Sequence, residues 1–448
     1  MDLDHRPTQL VFFPYPLQGH LTPMLQLAQS LLSLNPSFKI TIAHTHFNSP
    51  KIESPLKFTL IPIDDGLPVN WQPKGGADLL KLVDTISSNC RAPLFSLLSR
   101  LNEEDPVAGF FYDGIMGFAG EVGTELGLKA MAFRTSSATS FAVFANIEKL
   151  HEMGYLPIRD FESEERISEL PPLRIKDLPA FSSDNSVLES FWAGISQLTK
   201  QTKKASALIL NSLSALENEA LKMIQHDFHI PIYAIGPLNC QISLNLLPED
   251  SKCLSWLDAQ PPKSVIYTSF GSLAGMDSSQ VAEIAWGLAN SGCRFLWVVR
   301  PGSVNGYDAA ELPSGFMDQV GSRGLVVGWA PQKDVLAHQA VGAFWTHCGW
   351  NSTLESLCAA VPMACWARFG DQKVNSRLAC GVWRVGLEMG REVERGEVER
   401  VLRRLLMERE GEEMRERGRE LMQVLESSLE KGGSSYEAFE ALVNKLKS

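Results

Sequence analysis

Apolar positions along this chain follow two rhythms, short unbroken runs and helical stripes, and the two alternate in two separate series. Leu10-Val-Phe-Phe13 is apolar without a break, as expected of a parallel strand buried on both faces. It ends in Pro-Tyr-Pro-Leu-Gln-Gly-His, after which Thr22 is expected to cap a helix with Pro23 in its first turn. Met24, Leu25, Leu27, Ala28, Leu31 and Leu32 give that helix a broad buried face. Further strands are expected over Phe38–His44, Phe58–Ile63, Val107–Tyr112 and Lys129–Phe133. Strands spaced by helices indicate βαβ units, and hence an α/β fold with a mostly parallel sheet.

Between 235 and 262 the rhythm lapses. Gly-Pro, Leu-Pro-Glu-Asp and Gln-Pro-Pro occur there, turn chemistry that suits a linker over 236–262. A second α/β series follows, with runs at Val265–Phe270, Phe295–Arg300, Leu325–Gly328, Ala343–Thr346 and Val361–Trp366 and a helix over Ser278–Asn290. The Glu- and Arg-dense stretch Arg391–Glu420 sets its charges at i, i+4 spacing, as solvated helix faces do. After Gly432-Gly433-Ser434-Ser435 a last amphipathic helix opens, and its apolar stripe must pack on something. At 448 residues the chain exceeds what one hydrophobic core sustains, about 250–300 residues, so two domains are expected, over 1–235 and 263–430, with a tail over 431–448.

Composition narrows the partners. Apolar residues at 44% and charged residues at 21% fit an ordinary globular protein. A net charge of −11 with no basic stripe argues against nucleic acid, which needs clustered Lys and Arg to displace counterions. The opening MDLDHRPTQL has no basic segment leading into an apolar one, so no secretory signal is expected, and no run approaches the roughly 18 apolar residues of a membrane span. The eight cysteines are scattered with no C-x-x-C pair and are expected to be reduced thiols of a cytosolic protein.

The strongest candidate chemistry runs from Trp329 to Gln372, WAPQKDVLAHQAVGAFWTHCGWNSTLESLCAAVPMACWARFGDQ. Thr346-His347-Cys348-Gly349 leaves a buried strand and enters a helix near Trp350-Asn351-Ser352-Thr353. A helix start presents backbone N–H groups and the positive end of a dipole, which suits an anion such as a diphosphate. His347, Asn351 and Ser352 sit where that anion would land, Gly349 lets the backbone approach, and Glu355 one turn on can accept from a ribose diol. A capped strand–helix turn without a ligand accounts for Gly349 and Asn351. It does not account for a His, a Trp and a Glu around one point.

In order and spacing this stretch resembles the signature box of plant family-1 UDP-dependent glycosyltransferases. The PYPLQGHLTPML opening, the QPPKSVIYTSFGS strand and the KGGSSYEAFEALV tail resemble the same family, so the likeness covers the whole chain. It is most similar to the branch that includes steviol-glycoside and benzoxazinoid glucosyltransferases. The resemblance implies the GT-B fold: two Rossmann-like domains facing across a cleft, with the C-terminal helix packing back on the N-terminal domain. It implies that Trp329 stacks on uracil beside the Ala330 backbone, and that Gln332 and Glu355 hold the ribose. Ser272, His347, Asn351 and Ser352 would hold the phosphates. Trp350, Asp371 and Gln372 would bind the sugar hydroxyls, with Gln372 in place of His favouring glucose over galactose. Ala360 stands where the family usually has Gly, and Ala367 where Pro is common, which puts local loop shape in question.

His20 alone reads as a structural histidine at a strand–helix junction. It follows the flexible Gln18-Gly19 at the C-terminal end of a strand, where open α/β sheets place ligands, and Asp113 ends another buried strand. The resemblance matches His20 to the family's catalytic base, Asp113 to its partner and Thr135 to a position touching sugar or phosphate. The chemistry needs such a pair, because a hydroxyl is a poor nucleophile until a base removes its proton.

No metal is expected, since the only Asp-x-Asp is Asp2-Leu3-Asp4 at the chain start. No Gly-x-Gly-x-x-Gly follows a strand and no Walker loop or Gly-x-Ser-x-Gly elbow occurs. The expectation is a cytoplasmic, metal-independent, inverting enzyme. It uses UDP-glucose as co-substrate, needs no cofactor and glucosylates a flavonoid, terpenoid, benzoxazinoid or phenolic hydroxyl, with a monomer as the default state. The alternatives are a sugar-nucleotide-binding protein without transfer activity, or an epimerase or hydrolase of nucleotide sugars. The first would not need His20 and Asp113. The second would not need the apolar segments Phe12–Pro16, Ser140–Ile147 and Phe181–Phe191.

Overall fold

Parallel strands buried on both faces organise each half of the chain. The computed structural model describes residues 8–50, 58–68, 71, 76–182, 184–241, 252–271, 275–300 and 312–447. The chain divides into two compact units. One comprises Met1–Arg159, Phe181–Leu246 and Ser427–Ser448, and the other Asp160–Ala180 and Leu247–Glu426.

The first unit holds β1 (Thr8–Phe13), β2 (Phe38–Thr45), β3 (Phe58–Ile63), β4 (Val107–Asp113), β5 (Ala130–Arg134), β6 (Ala207–Leu210) and β7 (Ile232–Ala234), in the order β3-β2-β1-β4-β5-β6-β7. Every pairing is parallel. Side chains alternate between two cores: Val11, Phe13, Phe110 and Tyr112 point to one, Leu10, Phe12, Phe111 and Met131 to the other. The apolar stripe of the last helix, Ser434–Lys447, joins the second core through Phe439, Leu442, Val443 and Leu446. Each such burial is worth about 1.5–3 kcal/mol, and Ser435 Oγ fastens the start of that helix to the Gly236 carbonyl at 2.6 Å.

The second unit holds β8 (Val265–Ser269), β9 (Arg294–Val298), β10 (Gly324–Val327), β11 (Val341–Thr346), β12 (Met363–Cys365) and β13 (Gly386–Glu388), in the order β10-β9-β8-β11-β12-β13, again all parallel. Strands β6, β7 and β13 were not evident from the pattern, because three or four residues are too few to show a period.

Two stretches depart from a simple division at 235. Asp160–Ala180 belongs to the second unit, held there by polar bonds: Arg174 and Lys176 pair with Glu388, and the Pro172 and Ala180 carbonyls accept from Arg377 Nε and the Gly370 N–H. The expected linker over 236–262 contains two short helices, Leu238–Gln241 and Lys252–Asp258. Among the described residues six of the eight cysteines carry free thiols, short of the expectation that all would be reduced.

Candidate active site

Strand order reverses between β1 and β4 in the first sheet and between β8 and β11 in the second. Connections leave the two sides of such a reversal in opposite directions, and a crevice opens beyond the carboxyl ends of the strands. A histidine lies at each.

In the first unit the chain leaves β1 through Tyr15 and Leu17 and enters the helix Gln18–Leu34. This helix begins earlier than the expected Thr22 cap, because Leu17 already has the extended backbone of an N-cap and its carbonyl accepts from the His20 and Leu21 N–H groups. Pro23 therefore lies inside the helix, and Thr22 Oγ1 accepts from Gln18 Nε2 at 3.0 Å. His20 is thus held by helical backbone and not by a flexible turn.

Asp113 closes β4, next to β1. Its Oδ2 lies 2.8 Å from His20 Nδ1, and its Oδ1 accepts the Ile115 N–H at 3.1 Å. The carboxylate is 1% exposed and the imidazole 26%, so the ring is open to a substrate while its partner is sealed from water. Thr135, just after β5, places Oγ1 3.1 Å from the same Nδ1. Tyr15, which the sequence did not mark, meets the ring edge-on at 5.3 Å between centroids. Burial, and then the Asp113 charge, raise its phenol pKa. With Nδ1 tied to a buried carboxylate, Nε2 is left as the nitrogen that can take a proton.

In the second unit β11 delivers His347 to the start of the helix Trp350–Cys358. The N-cap residue is Gly349, which has no side chain to cap the first turn, an arrangement that suits capping by an anion. His347 is packed between glycines. A Cβ on Gly271 or on Gly349 would lie 2.5 Å from its ring, and Gly271 also has φ +76°, which favours glycine. Burial, then the Arg300 charge, push the imidazole pKa down to about 4, so it is neutral at physiological pH. Its buried Nδ1 has no hydrogen-bond partner among the described residues. Cys348 adopts φ +63°, and Asn375 Nδ2 secures this turn by donating to the Cys348 carbonyl at 3.0 Å and to Asp371 Oδ2 at 3.2 Å.

Gln332 opens the helix Gln332–Ala337, and its Nε2 reaches Ser352 Oγ at 2.9 Å and Glu355 Oε2 at 2.6 Å. Tyr267, also unmarked by the sequence, donates its hydroxyl to Gln332 Oε1 at 3.2 Å. Burial pushes the Glu355 carboxyl up to about 7 against the opposing bond from Gln332. Trp329 is half-buried and Ala330 buried, on the segment that follows β10. Asn351 follows Trp350 in the first turn of the Gly349-capped helix. Trp350 is 3% exposed, with its indole against Trp383.

Gln372 is buried, and its Oε1 accepts from the Arg368 and Phe369 N–H groups at 2.9 and 3.2 Å. That fixes the amide with Nε2 as the group it offers, a donor to a hydroxyl oxygen. Ser272 lies outside the described residues. Ala360, in the position where family members usually have Gly, adopts φ +52°, which explains the usual residue and shows the strain carried here. Among the described residues no group of three or more His, Cys, Asp or Glu is placed to hold a metal, and no helix is long and apolar enough to cross a membrane.

Residues 102–413 match the family described as UDP-glucoronosyl and UDP-glucosyl transferase. The chain belongs to that family. This UDP-glycosyltransferase is 40% identical to UDP-glycosyltransferase 76B1 of Arabidopsis thaliana, with 97% of each chain covered. It is 41% identical to UDP-glycosyltransferase 76H1 of Stevia rebaudiana over 94% of this chain and 99% of that one. Among solved structures, a UDP-glucosyltransferase from Polygonum tinctorium capable of glucosylating indoxyl superposes with a TM-score of 0.81 at 30% identity, covering 99% of each chain. Phytolacca americana UGT2, complexed with UDP-2-fluoro-glucose and pterostilbene, gives 0.82 at 28%, covering 99% of this chain and 100% of that one. The fold is GT-B, with two Rossmann-like α/β domains, and the activity is transfer of a sugar from a UDP-sugar to an acceptor hydroxyl.

Proposed function

We propose that this UDP-glycosyltransferase is an inverting, metal-independent glucosyltransferase that moves glucose from UDP-glucose to a hydroxyl of a small hydrophobic plant metabolite, with His20 as general base. The observation that carries the proposal is the 2.8 Å contact between an accessible His20 ring and the sealed Asp113 carboxylate. In this reading the acceptor hydroxyl gives its proton to His20 Nε2 as its oxygen attacks the anomeric carbon. Asp113 keeps the proton of the resting ring on Nδ1 and stabilises the imidazolium that forms. The bond from the anomeric carbon to the diphosphate oxygen breaks on the opposite face, and its electrons leave with UDP. Backbone N–H groups at the start of the Trp350–Cys358 helix and the neutral imidazole of His347 receive that charge. Attack opposite the leaving group turns an α-linked donor into a β-linked product.

Trp329 and Ala330 would hold the uracil, Gln332 and Glu355 the ribose, and Ser272, Asn351, Ser352 and His347 the phosphates. Thr135, Trp350, Asp371 and Gln372 would hold the sugar. Flavonoids lead the proposed acceptors, supported by a relative named flavonol 3-O-glucosyltransferase UGT76E12 from Arabidopsis thaliana, 38% identical to this chain. Terpenoids, benzoxazinoids and phenolics follow, and the proposed branch is that of steviol-glycoside and benzoxazinoid glucosyltransferases. A nucleotide-sugar-binding protein without transfer activity would have no use for the His20–Asp113 pair.

Incubation with UDP-glucose and a panel of these classes, steviol glycosides included, is expected to yield a hexosylated flavonoid with a β anomeric proton by NMR. An α-linked product would remove inversion, and free glucose with no conjugate from any acceptor would favour a hydrolase. Turnover is expected to survive EDTA. A fluorescent fusion in plant cells tests the proposed cytoplasmic location.

A further inference from the structure

Arg300 follows β9, which neighbours β8 in the second sheet. Its Nε donates to the Gly271 carbonyl at 2.8 Å, and Gly271 is one of two glycines packed against the His347 ring. Gly271 therefore connects the Arg300 guanidinium to the His347 ring beyond the carboxyl ends of β8 and β9. The Arg300 charge reaches His347, where it opposes protonation, and the same field favours an anion.

A nucleoside diphosphate carries at least two negative charges, and the groups assigned to it supply little positive charge in return. A helix start contributes about half a charge, and a neutral imidazole contributes a hydrogen bond. We infer that Arg300 is a further donor-binding residue, the cation that faces the diphosphate and separates a nucleoside diphosphate from the bare nucleoside. This inference rests on the donor-site reading above. A different role, in which Arg300 only anchors Gly271 so that His347 keeps its place, acts entirely through His347 and adds no loss of UDP affinity once His347 is replaced.

Calorimetric titration of UDP and of uridine into wild type, R300Q, R300K, H347A and the double variant H347A/R300Q separates the two roles, because a direct charge weakens UDP further in the H347A background. R300Q is expected to weaken UDP about tenfold to a hundredfold, the scale of a hydrogen bond to a charged group, while uridine stays within about twofold. R300K, which keeps the charge and loses the planar fork, is expected to fall between R300Q and wild type for UDP and to leave uridine unchanged. If R300Q fails to fold, R300K decides by the same criterion. Parallel losses for UDP and uridine, UDP affinity untouched in the variants, or H347A/R300Q binding UDP no more weakly than H347A, overturn the inference. Wild type failing to bind UDP overturns the donor-site reading itself, whatever Arg300 does.

Discussion

The two histidines occupy equivalent places, each just past a parallel strand that borders a reversal of strand order, and their neighbours differ in sign. His20 lies against the carboxylate of Asp113, while His347 lies between two glycines in the field of Arg300. In the proposed mechanism the carboxylate at 2.8 Å orients the His20 ring to act as the base. Burial, and then the Arg300 guanidinium, keep the His347 ring neutral, which in that mechanism makes it a hydrogen-bond donor to an anion. On the proposed mechanism one topology serves proton removal in one unit and charge reception in the other, the first through a neighbouring carboxylate and the second through burial together with a guanidinium.

The largest expected effect tests the first half of that contrast. His20→Ala should cut transfer to hydroxyl acceptors by about a hundredfold to ten-thousandfold, the span of general base catalysis, with UDP affinity intact by calorimetry. Near-wild-type turnover on an alcohol would end the base assignment. His347→Ala should instead weaken UDP itself by about tenfold or more, through loss of a hydrogen bond to a charged group. If both variants lose UDP affinity alike, the contrast fails.

Gln372→His comes next. With Oε1 held by two backbone N–H groups, the amide offers a donor, and replacing it should lower kcat/KM for UDP-glucose about tenfold relative to UDP-galactose. An unchanged ratio of the two donors removes Gln372 from sugar selection.

The second unit also carries two opposed titrations. Glu355, raised to about 7, favours the neutral acid, so its contribution to stability is complete below pH 4.5 and is lost as pH rises through 7. His347, lowered to about 4, contributes above pH 6.5 and loses that contribution as pH falls toward 4. Glu355→Gln should therefore flatten the loss of Tm on the alkaline side of that window and leave the acid side alone. A variant whose profile parallels wild type from pH 4.5 to 7 contradicts the raised carboxyl.

The smallest effect lies just beyond the donor helix. Ala360→Gly relieves a positive φ and should raise unfolding free energy by about 0.5–1 kcal/mol without changing transfer. Lower activity in that variant would show that the strained turn supports the donor site.

Much of this was legible in the chain. Leu10–Phe13 read as a doubly buried strand and is one, and Trp329–Gln372 announced a strand-to-helix junction that β11 and the helix Trp350–Cys358 form. What the pattern misplaced was local. Thr22 has the chemistry of a cap, but Leu17 has the backbone of one, and capping follows backbone geometry. Tyr15, Tyr267 and Arg300 went unmarked because a tyrosine or arginine beside a strand end is ordinary, and only the neighbour it meets gives it a role.

The order of apolar runs by itself determined two parallel α/β sheets, since strand and helix periods are local properties of consecutive residues. Only the tertiary structure decided that His20 meets Asp113 across 93 positions and that His347 has Arg300 in reach. A side chain's proton affinity depends on burial and on charges a few ångströms away. Those neighbours come from strands adjacent in the sheet and distant in the chain.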